Sequence, residues 1–385
     1  MKKFFSALLA LISVVCLFTG CEEKPDIIET DGIYTEPYSV TEELSGLSDS
    51  VIQKVALITD GDSIDDKGYN QACWEGIVAW CTSKNIPYTY YQPTEGYHDA
   101  YVVSIDQAVS EGANVIVMGG SLFSTALIEQ QERYPEVYFI GPDIGYVDMT
   151  YDYVTFYEPT ANTVCITFAE EQAGYLAGYA AVKEGYTQLG FLGKLAIPSV
   201  IRYGYGFVQG ADAAASEMEV NIQIKYTYGG ICYCSGEDLY LAKLESWVES
   251  GTETICLYGD NYNAPGYAKK LDAKIIVGDI DMSSTDPDIL TSGKKELQNS
   301  IEFILSGLYG GRWDKEFGGK VINLSLQDGN FVGLPTTDEA FRFQTFTLEE
   351  YEDLITDIRT GNRIVSDFVE NMPTVSPYTE IVEIG

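Results

Sequence analysis

The chain has 385 residues, 45% of them apolar, which is enough for two ordinary cores and excludes wholesale disorder. Its formal net charge is −35, and the acidic residues are spread along the sequence rather than gathered in a tail. A field of that sign repels phosphate backbones and anionic headgroups, which disfavours nucleic acid and polybasic membrane contacts.

Lys2 and Lys3 precede an apolar stretch from Phe4 to Phe18, and Thr19-Gly20-Cys21 follows. A charged start, a short apolar middle and small residues before a cysteine predict a secretory signal, too short to span a bilayer. LFTGC resembles the bacterial lipobox, which implies a signal peptide over 1–20 and lipidation at Cys21. Simple secretion is the alternative. The next stretch, 21–50, is polar, acidic and broken by Pro25 and Pro37, which predicts a tether.

Short apolar runs then alternate with helical patterns. The runs fall at 55–59, 87–91, 115–118 and 137–140, then at 189–192, 222–225, 255–257 and 274–277. Helical periodicity lies between them, over 101–111, 124–134, 161–183, 201–218, 237–249 and 293–308. This alternation predicts parallel sheets wound by right-handed crossovers. The longest helical pattern, around FAEEQAGYLAG, separates the two sets of strands and predicts a doubly wound lobe on either side of a cleft. A last helix over 348–359 ends at Gly361, a C-cap, and a tail over 362–385 covers a surface.

Cysteines point to packing rather than chemistry. With Cys16 in the signal and Cys21 lipidated, Cys73, Cys81, Cys165, Cys232, Cys234 and Cys256 remain. Cys73, Cys81, Cys165 and Cys256 have apolar neighbours and read as small core residues. Cys232-Tyr-Cys234 lacks the spacing of a redox or zinc pair. Export permits disulfides, so pairing among the six stays open. A single histidine, His98, argues against a histidine-containing metal cluster or a catalytic triad. No GxxxxGK[ST], G-x-S-x-G or HExxH occurs, so an enzyme is not expected, and neither is a cofactor or metal.

Polar residues gather just after the apolar runs: Asp60, Gly119-Gly120-Ser121, Asp143, Gly259-Asp260-Asn261 and Asp279. One such aspartate is explained equally well by helix capping. Several from both halves predict a site at the carboxyl edges of the strands. Carboxylates that accept paired hydroxyl hydrogen bonds suit a sugar ring. Tyr69, Tyr203 and Phe207 offer flat faces for a ring, with core packing the alternative for each. Lys295, in LTSGKK, is a further donor, or else an exposed lysine at a helix start.

The densest cluster is VALITDGDSIDDKGYNQACWEGI, which brings Asp60, Asp62, Asp65, Asp66, Tyr69 and Asn70 to one strand-to-helix turn. This segment resembles the signature of the basic membrane protein family, close to TDxGGIDDKSFNQxxWEG. The likeness continues through VIVMGGSLFSTAL, RYPEVYFIGPD, FAEEQAGYLAGYAA, LGFLGKLAIPSVIRYGYGFVQGAD, VGDIDMSS, LTSGKK and GNRIVSD. It implies a type I periplasmic-binding-protein-like α/β fold, with two doubly wound lobes and a hinged cleft. The implied lobes are 51–157 with about 284–320, and 158–283 with about 321–361. The resemblance also implies a lipid-anchored binding component of an ABC importer on the extracytoplasmic face of the cell membrane. It would act as a monomer with permease and ATPase subunits as partners, and its ligand would be a nucleoside, purine first.

By position, the resemblance gives Asp60 and Asn70 the polar edges of the base, while Gly120, Asp143 and Gly259 join the site from their places at the strand ends. Tyr69 would stack on the base, opposite Tyr203 or Phe207. Asp279 and Lys295 would hold ribose. Departures are Asp62-Ser63 for the paired glycines, Gly68-Tyr69-Asn70 for SFN, and Gly259-Asp260-Asn261-Tyr262-Asn263 for the glycine-rich loop of the second lobe. They leave a free sugar or other small polar metabolite, or a non-transporting surface receptor, as alternatives.

Overall fold

The 55–58 run is buried at every position, the mark of a strand covered on both faces. It lies inside a seven-stranded sheet built from β1 (Tyr38–Glu42), β2 (Val55–Ile58), β3 (Tyr88–Gln92), β4 (Val115–Val117), β5 (Tyr138–Pro142), β6 (Thr163–Phe168) and the late strand β12 (Lys320–Leu324). The spatial order is β1-β3-β2-β4-β5-β6-β12, parallel except for β1, which runs antiparallel to β3. These elements come from a computed structural model that describes residues 38–42, 51–229, 237–259, 263–271, 273–284 and 286–383. All fall within one compact unit, Pro37–Gly385. The expected signal peptide, Cys21, Cys232, Cys234 and the Asp260-Asn261-Tyr262 stretch lie outside the described residues.

A second seven-stranded sheet contains β7 (Gln188–Gly193), β8 (Ile222–Tyr228), β9 (Thr254–Tyr258), β10 (Lys274–Asp279), β11 (Ile289–Lys295), β13 (Val332–Gly333) and β14 (Thr379–Glu383). Its order is β13-β11-β10-β9-β7-β8-β14, parallel except for β13 on β11. Helices α1 (Tyr69–Lys84), α2 (His98–Ser110) and α3 (Ser124–Arg133) alternate with the strands of the first sheet. In the second half come α4 (Glu170–Lys183), α5 (Pro198–Met218), α6 (Glu237–Glu249) and α7 (Ala264–Leu271), followed by α8 (Leu297–Tyr309), α9 (Trp313–Glu316) and α10 (Leu348–Thr360). The expected α/β class with two parallel sheets is therefore the observed one. Gly361, at φ 77°, closes α10 as the sequence predicts.

Sheet membership moves the lobe boundaries. Residues 163–168 and 320–324 belong to the first sheet, and 289–295 to the second. The chain thus passes between sheets at Phe168–Glu170, Lys295–Leu297 and Leu324–Val332, rather than near 157, 283 and 320. The 161–183 helical reading fails at its start because TVCITF is apolar and β-branched, and short apolar runs do not reveal their period. The 293–308 reading fails likewise, because Ser292, Gly293 and Lys294 are poor strand formers held in β11 by neighbours on both sides. Two coil expectations also change. Tyr38–Glu42 leaves the tether to pair with β3, and Thr379–Glu383 leaves the tail to pair with β8.

Packing in the second lobe rests on glycines. A Cβ at Gly174 would stand 2.0 Å from the Tyr203 carbonyl oxygen, and one at Gly206 would stand 1.9 Å from that of Glu171. Gly178 and Gly210 repeat the contact one turn on, so α4 and α5 cross with their backbones touching. Within the first lobe, α8 packs on α1, where Trp80 Nε1 donates to Ser306 Oγ at 2.8 Å. Cys73, Cys81, Cys165 and Cys256 are buried and free, as small core residues should be.

Candidate functional site

Strand ends from both sheets meet at the hinge. Asp143 follows β5 of the first sheet, while Asp279 and Lys295 end β10 and β11 of the second. Lys295 is the last strand residue before the chain crosses back toward α8, so its ammonium reaches both lobes. Its Nζ lies 2.7 Å from Asp143 Oδ1, 2.8 Å from Asp279 Oδ1 and 3.6 Å from Glu170 Oε1. Tyr69 Oη donates to Asp143 Oδ2 at 2.7 Å, and Tyr258 Oη donates to Asp279 Oδ1 at 3.3 Å. Arg202 completes the set by pairing with Glu170 Oε2 at 2.7 Å.

Burial decides the electrostatics. The Lys295 side chain is 3% exposed, and burial alone would lower its pKa. Asp143 and Asp279 outweigh that and hold the ammonium well above the ordinary lysine range. Burial pushes the Tyr69 and Tyr258 phenols up, and the neighbouring carboxylates add to it, so both remain donors. Burial also raises Glu170, against the pull of Lys295 and Arg202. Glu171, beside it, is pushed up to about 7.

The backbone at the site is strained. Asp143 has φ 57° and Asp279 has φ 89°, in the left-handed half of the map that aspartate enters at a cost. That conformation turns both carboxylates off their strand ends, where each meets the lysine. The cleft beside them has a volume of about 690 Å³, in the range of small-molecule sites. Asp143, Tyr258, Gly259, Asp279 and Lys295 line it, with Glu170 and Arg202. It presents an ammonium, carboxylate lone pairs and phenolic hydroxyls, a complement for a polyhydroxylated ligand. Among the described residues no group of three or more histidines, cysteines or carboxylates is placed to hold a metal ion.

A family profile described as "Bmp: ABC transporter substrate-binding protein PnrA-like" matches residues 52–353. The chain belongs to this family. The "ABC transporter nucleoside-binding protein BmpA" of Lactococcus lactis subsp. cremoris is 27% identical over 200 residues, or 48% of this chain and 53% of that protein. This match therefore spans about half of that relative. "Basic membrane protein B" of Borreliella burgdorferi is 25% identical over 74% of this chain and 82% of its own length. A solved ABC transporter solute-binding protein from Conexibacter woesei superposes with a TM-score of 0.64 at 18% identity, covering 83% of this chain and all of that one, which bears on the fold alone.

Within this substrate-binding family, the expected site residues divide into four groups. Tyr69, Asp143, Asp279 and Lys295 form the bonded set. Asp60 and Asn70 bond to each other, Asn70 Nδ2 to Asp60 Oδ1 at 2.7 Å and Asp60 N to Asn70 Oδ1 at 3.3 Å, which ties the end of β2 to the start of α1. Asp66, not Asp62 or Asp65, accepts from the Gly68, Asn70 and Gln71 amides and caps that helix. Gly120 donates to the Pro142 carbonyl at 2.8 Å, and with Gly259 it takes a positive φ that opens the turn beside the cleft.

Tyr203 and Phe207 are the correction. They are 1% and 0% exposed, and neither lines the cleft. Tyr203 lies behind Tyr258, with ring centroids 4.6 Å apart, and Phe207 packs on Phe191. Core packing, the alternative for each, accounts for both. Sequence reasoning missed Tyr258, Glu170 and Arg202. Tyr258 is the last residue of β9, one before Gly259, and Glu170 opens α4 two residues after β6 ends, so reading the flanks of each strand end would have found both; Arg202 lies within α5, and no strand end marks it.

Proposed function

We propose that this substrate-binding protein captures a nucleoside, purine first, in the interlobe cleft and delivers it to the permease of an ABC importer. It would do so from a lipid anchor at Cys21 on the extracytoplasmic face, and without catalysis. One observation supports the reading above the others: Lys295 bonds Asp143 of the first lobe and Asp279 of the second. Sugar hydroxyls entering that set would bond both lobes at once, so the ligand favours the closed state over the open one. The name of the Lactococcus relative points to the same ligand class. In this reading Asp279 and Lys295 hold the sugar, Tyr69 and Asp143 close the inner end, and the Asp60–Asn70 pair fixes the turn that carries Tyr69.

A free sugar is the second reading. Burial of Tyr203 and Phe207 favours it, because it removes the expected partner for a base. Calorimetry with nucleosides, bases and pentoses on soluble protein from residue 22 onward separates the two. Nucleoside binding is expected. Asp279→Ala should weaken it by about 1.5–3 kcal/mol, the worth of a charge-assisted hydrogen bond, or roughly ten- to 150-fold. Pentose binding without nucleoside binding overturns the proposal.

A further inference from the structure

Among the described residues, Lys295 pairs with one carboxylate of the first lobe and two of the second. Asp143 follows β5, whereas Asp279 ends β10 and Glu170 opens α4, which packs on α5 and against β11. Glu170 also meets a second cation. Its Oε1 lies 3.6 Å from Lys295 Nζ, while its Oε2 accepts from Arg202 Nε at 2.8 Å and lies 2.7 Å from Arg202 Nη2. One carboxylate group thus stands between an ammonium and a guanidinium, and all three residues line the cleft.

The three side chains are unequally covered. Glu170 and Lys295 are 2% and 3% exposed, and Arg202 is 25% exposed. A charge buried as deeply as that of Glu170 persists only where it is paired. Burial works against it, and the two cations work for it. The same pairing restrains Lys295, whose long side chain loses much rotamer freedom when it is fixed. Asp279 and Glu170 approach the ammonium from β10 and α4, so two separate elements of one lobe share that restraint.

We propose that Glu170 is a positioning residue, which holds the Lys295 ammonium in place for the ligand while the cleft is open. The assignment rests on the nucleoside reading, in which Lys295 holds the sugar, and deepens it. Opening carries Asp143 away with the first sheet and leaves Asp279, Glu170 and Arg202 with Lys295. Without the Glu170 charge, the ammonium and the guanidinium repel each other across a low-dielectric interior, and Lys295 keeps one carboxylate. A smaller fraction of the open protein is then competent to bind, and apparent affinity falls by that fraction. Once the lobes close, Asp143 supplies a further bond, so the loss falls on association rather than on dissociation.

The test is stopped-flow fluorescence with a purine nucleoside and its free pentose on wild type, Glu170→Gln, Asp143→Asn and Glu217→Gln. Glu217 is a control: it accepts from Tyr179 Oη at 2.6 Å, pairs with Arg363 at 2.9 Å and is absent from the cleft lining. Glu170→Gln should slow nucleoside association about 3- to 10-fold, as the competent fraction falls, and leave dissociation within about twofold of wild type. Asp143→Asn should instead speed dissociation and leave association within about twofold. Glu217→Gln should leave both rates unchanged, whatever it does to Tm. A merely structural Glu170 would lower Tm without splitting the rates. If Glu170→Gln does not fold, Glu170→Asp, which withdraws the charge by one methylene, is read in the same way. Association at the wild-type rate, or an equal slowing in Asp143→Asn or Glu217→Gln, overturns the role of Glu170 and leaves the nucleoside reading standing. Pentose binding without nucleoside binding overturns that reading alone, and the rates are then compared on the pentose. Wild type that binds neither overturns both.

Discussion

Replacing Lys295 by methionine keeps an unbranched side chain and deletes the charge that joins the lobes. At 2.7 and 2.8 Å from Asp143 and Asp279, each attraction is worth about 6 kcal/mol at an effective dielectric constant near 20. Desolvation of the buried ammonium and of two partly buried carboxylates offsets much of that. Deleting one partner of a buried ion pair costs about 3–5 kcal/mol, because the carboxylates remain without their counter-ion. With about 2 cal/mol/K of unfolding entropy per residue over roughly 330 folded residues, this is a fall in Tm of about 4–7 °C. Scanning calorimetry of wild type and Lys295→Met at pH 7 measures it. The sign with pH follows from the raised lysine: its contribution is complete below the ordinary lysine range and is lost only as pH rises through the higher folded value. The gap between the two proteins should therefore hold constant from pH 6 to pH 9. A fall below about 1 °C would refute the bonded set as a structural link, since no buried ammonium of this kind is removed so cheaply.

Gly206→Ala should force α4 and α5 apart, since its Cβ would stand 1.9 Å from a backbone carbonyl, at a cost of about 1–3 kcal/mol or more in a urea titration. Gly266→Ala, with nothing within 4 Å, should instead be neutral or stabilise α7 by up to about 1 kcal/mol, and equal effects at the two sites would remove the close-packing explanation. Glu171 is pushed up to about 7 by burial, so its protonated form stabilises the native state. That stabilisation is full below the ordinary glutamate range and is lost as pH rises through about 7, a change of about 3 kcal/mol. Glu171→Gln should flatten the decline in Tm between pH 5 and pH 8, and parallel profiles would count against a buried, protonated Glu171.

Much of the architecture was legible in the residues. Continuous apolar runs such as VALI and alternating helical patterns gave two parallel sheets, because burial on both faces leaves no other composition open to a central strand. Apolar surroundings marked Cys73, Cys81, Cys165 and Cys256 as core, and Gly361 marked a helix end. Ordered motifs from Asp60 to Ser366 identified the family. The tether and tail strands were not legible, because an edge strand of mixed polarity carries no period of its own.

The sequence by itself determined the class, the two sheets and the acids at the strand ends. Each of those is a local property, set by periodicity and by where a strand must stop. Tertiary structure decided which side chains work together. TVCITF became a strand of the first lobe and ILTSGKK a strand of the second only through their neighbours in the sheets. That pairing carried Lys295 to the crossing point, where it meets acids from both lobes. The aromatic faces depended on the same kind of contact. Gly293 leaves room for the Tyr203 hydroxyl, so that ring sinks behind Tyr258. Burial of a ring depends on contacts distant in the chain, and no local pattern encodes those.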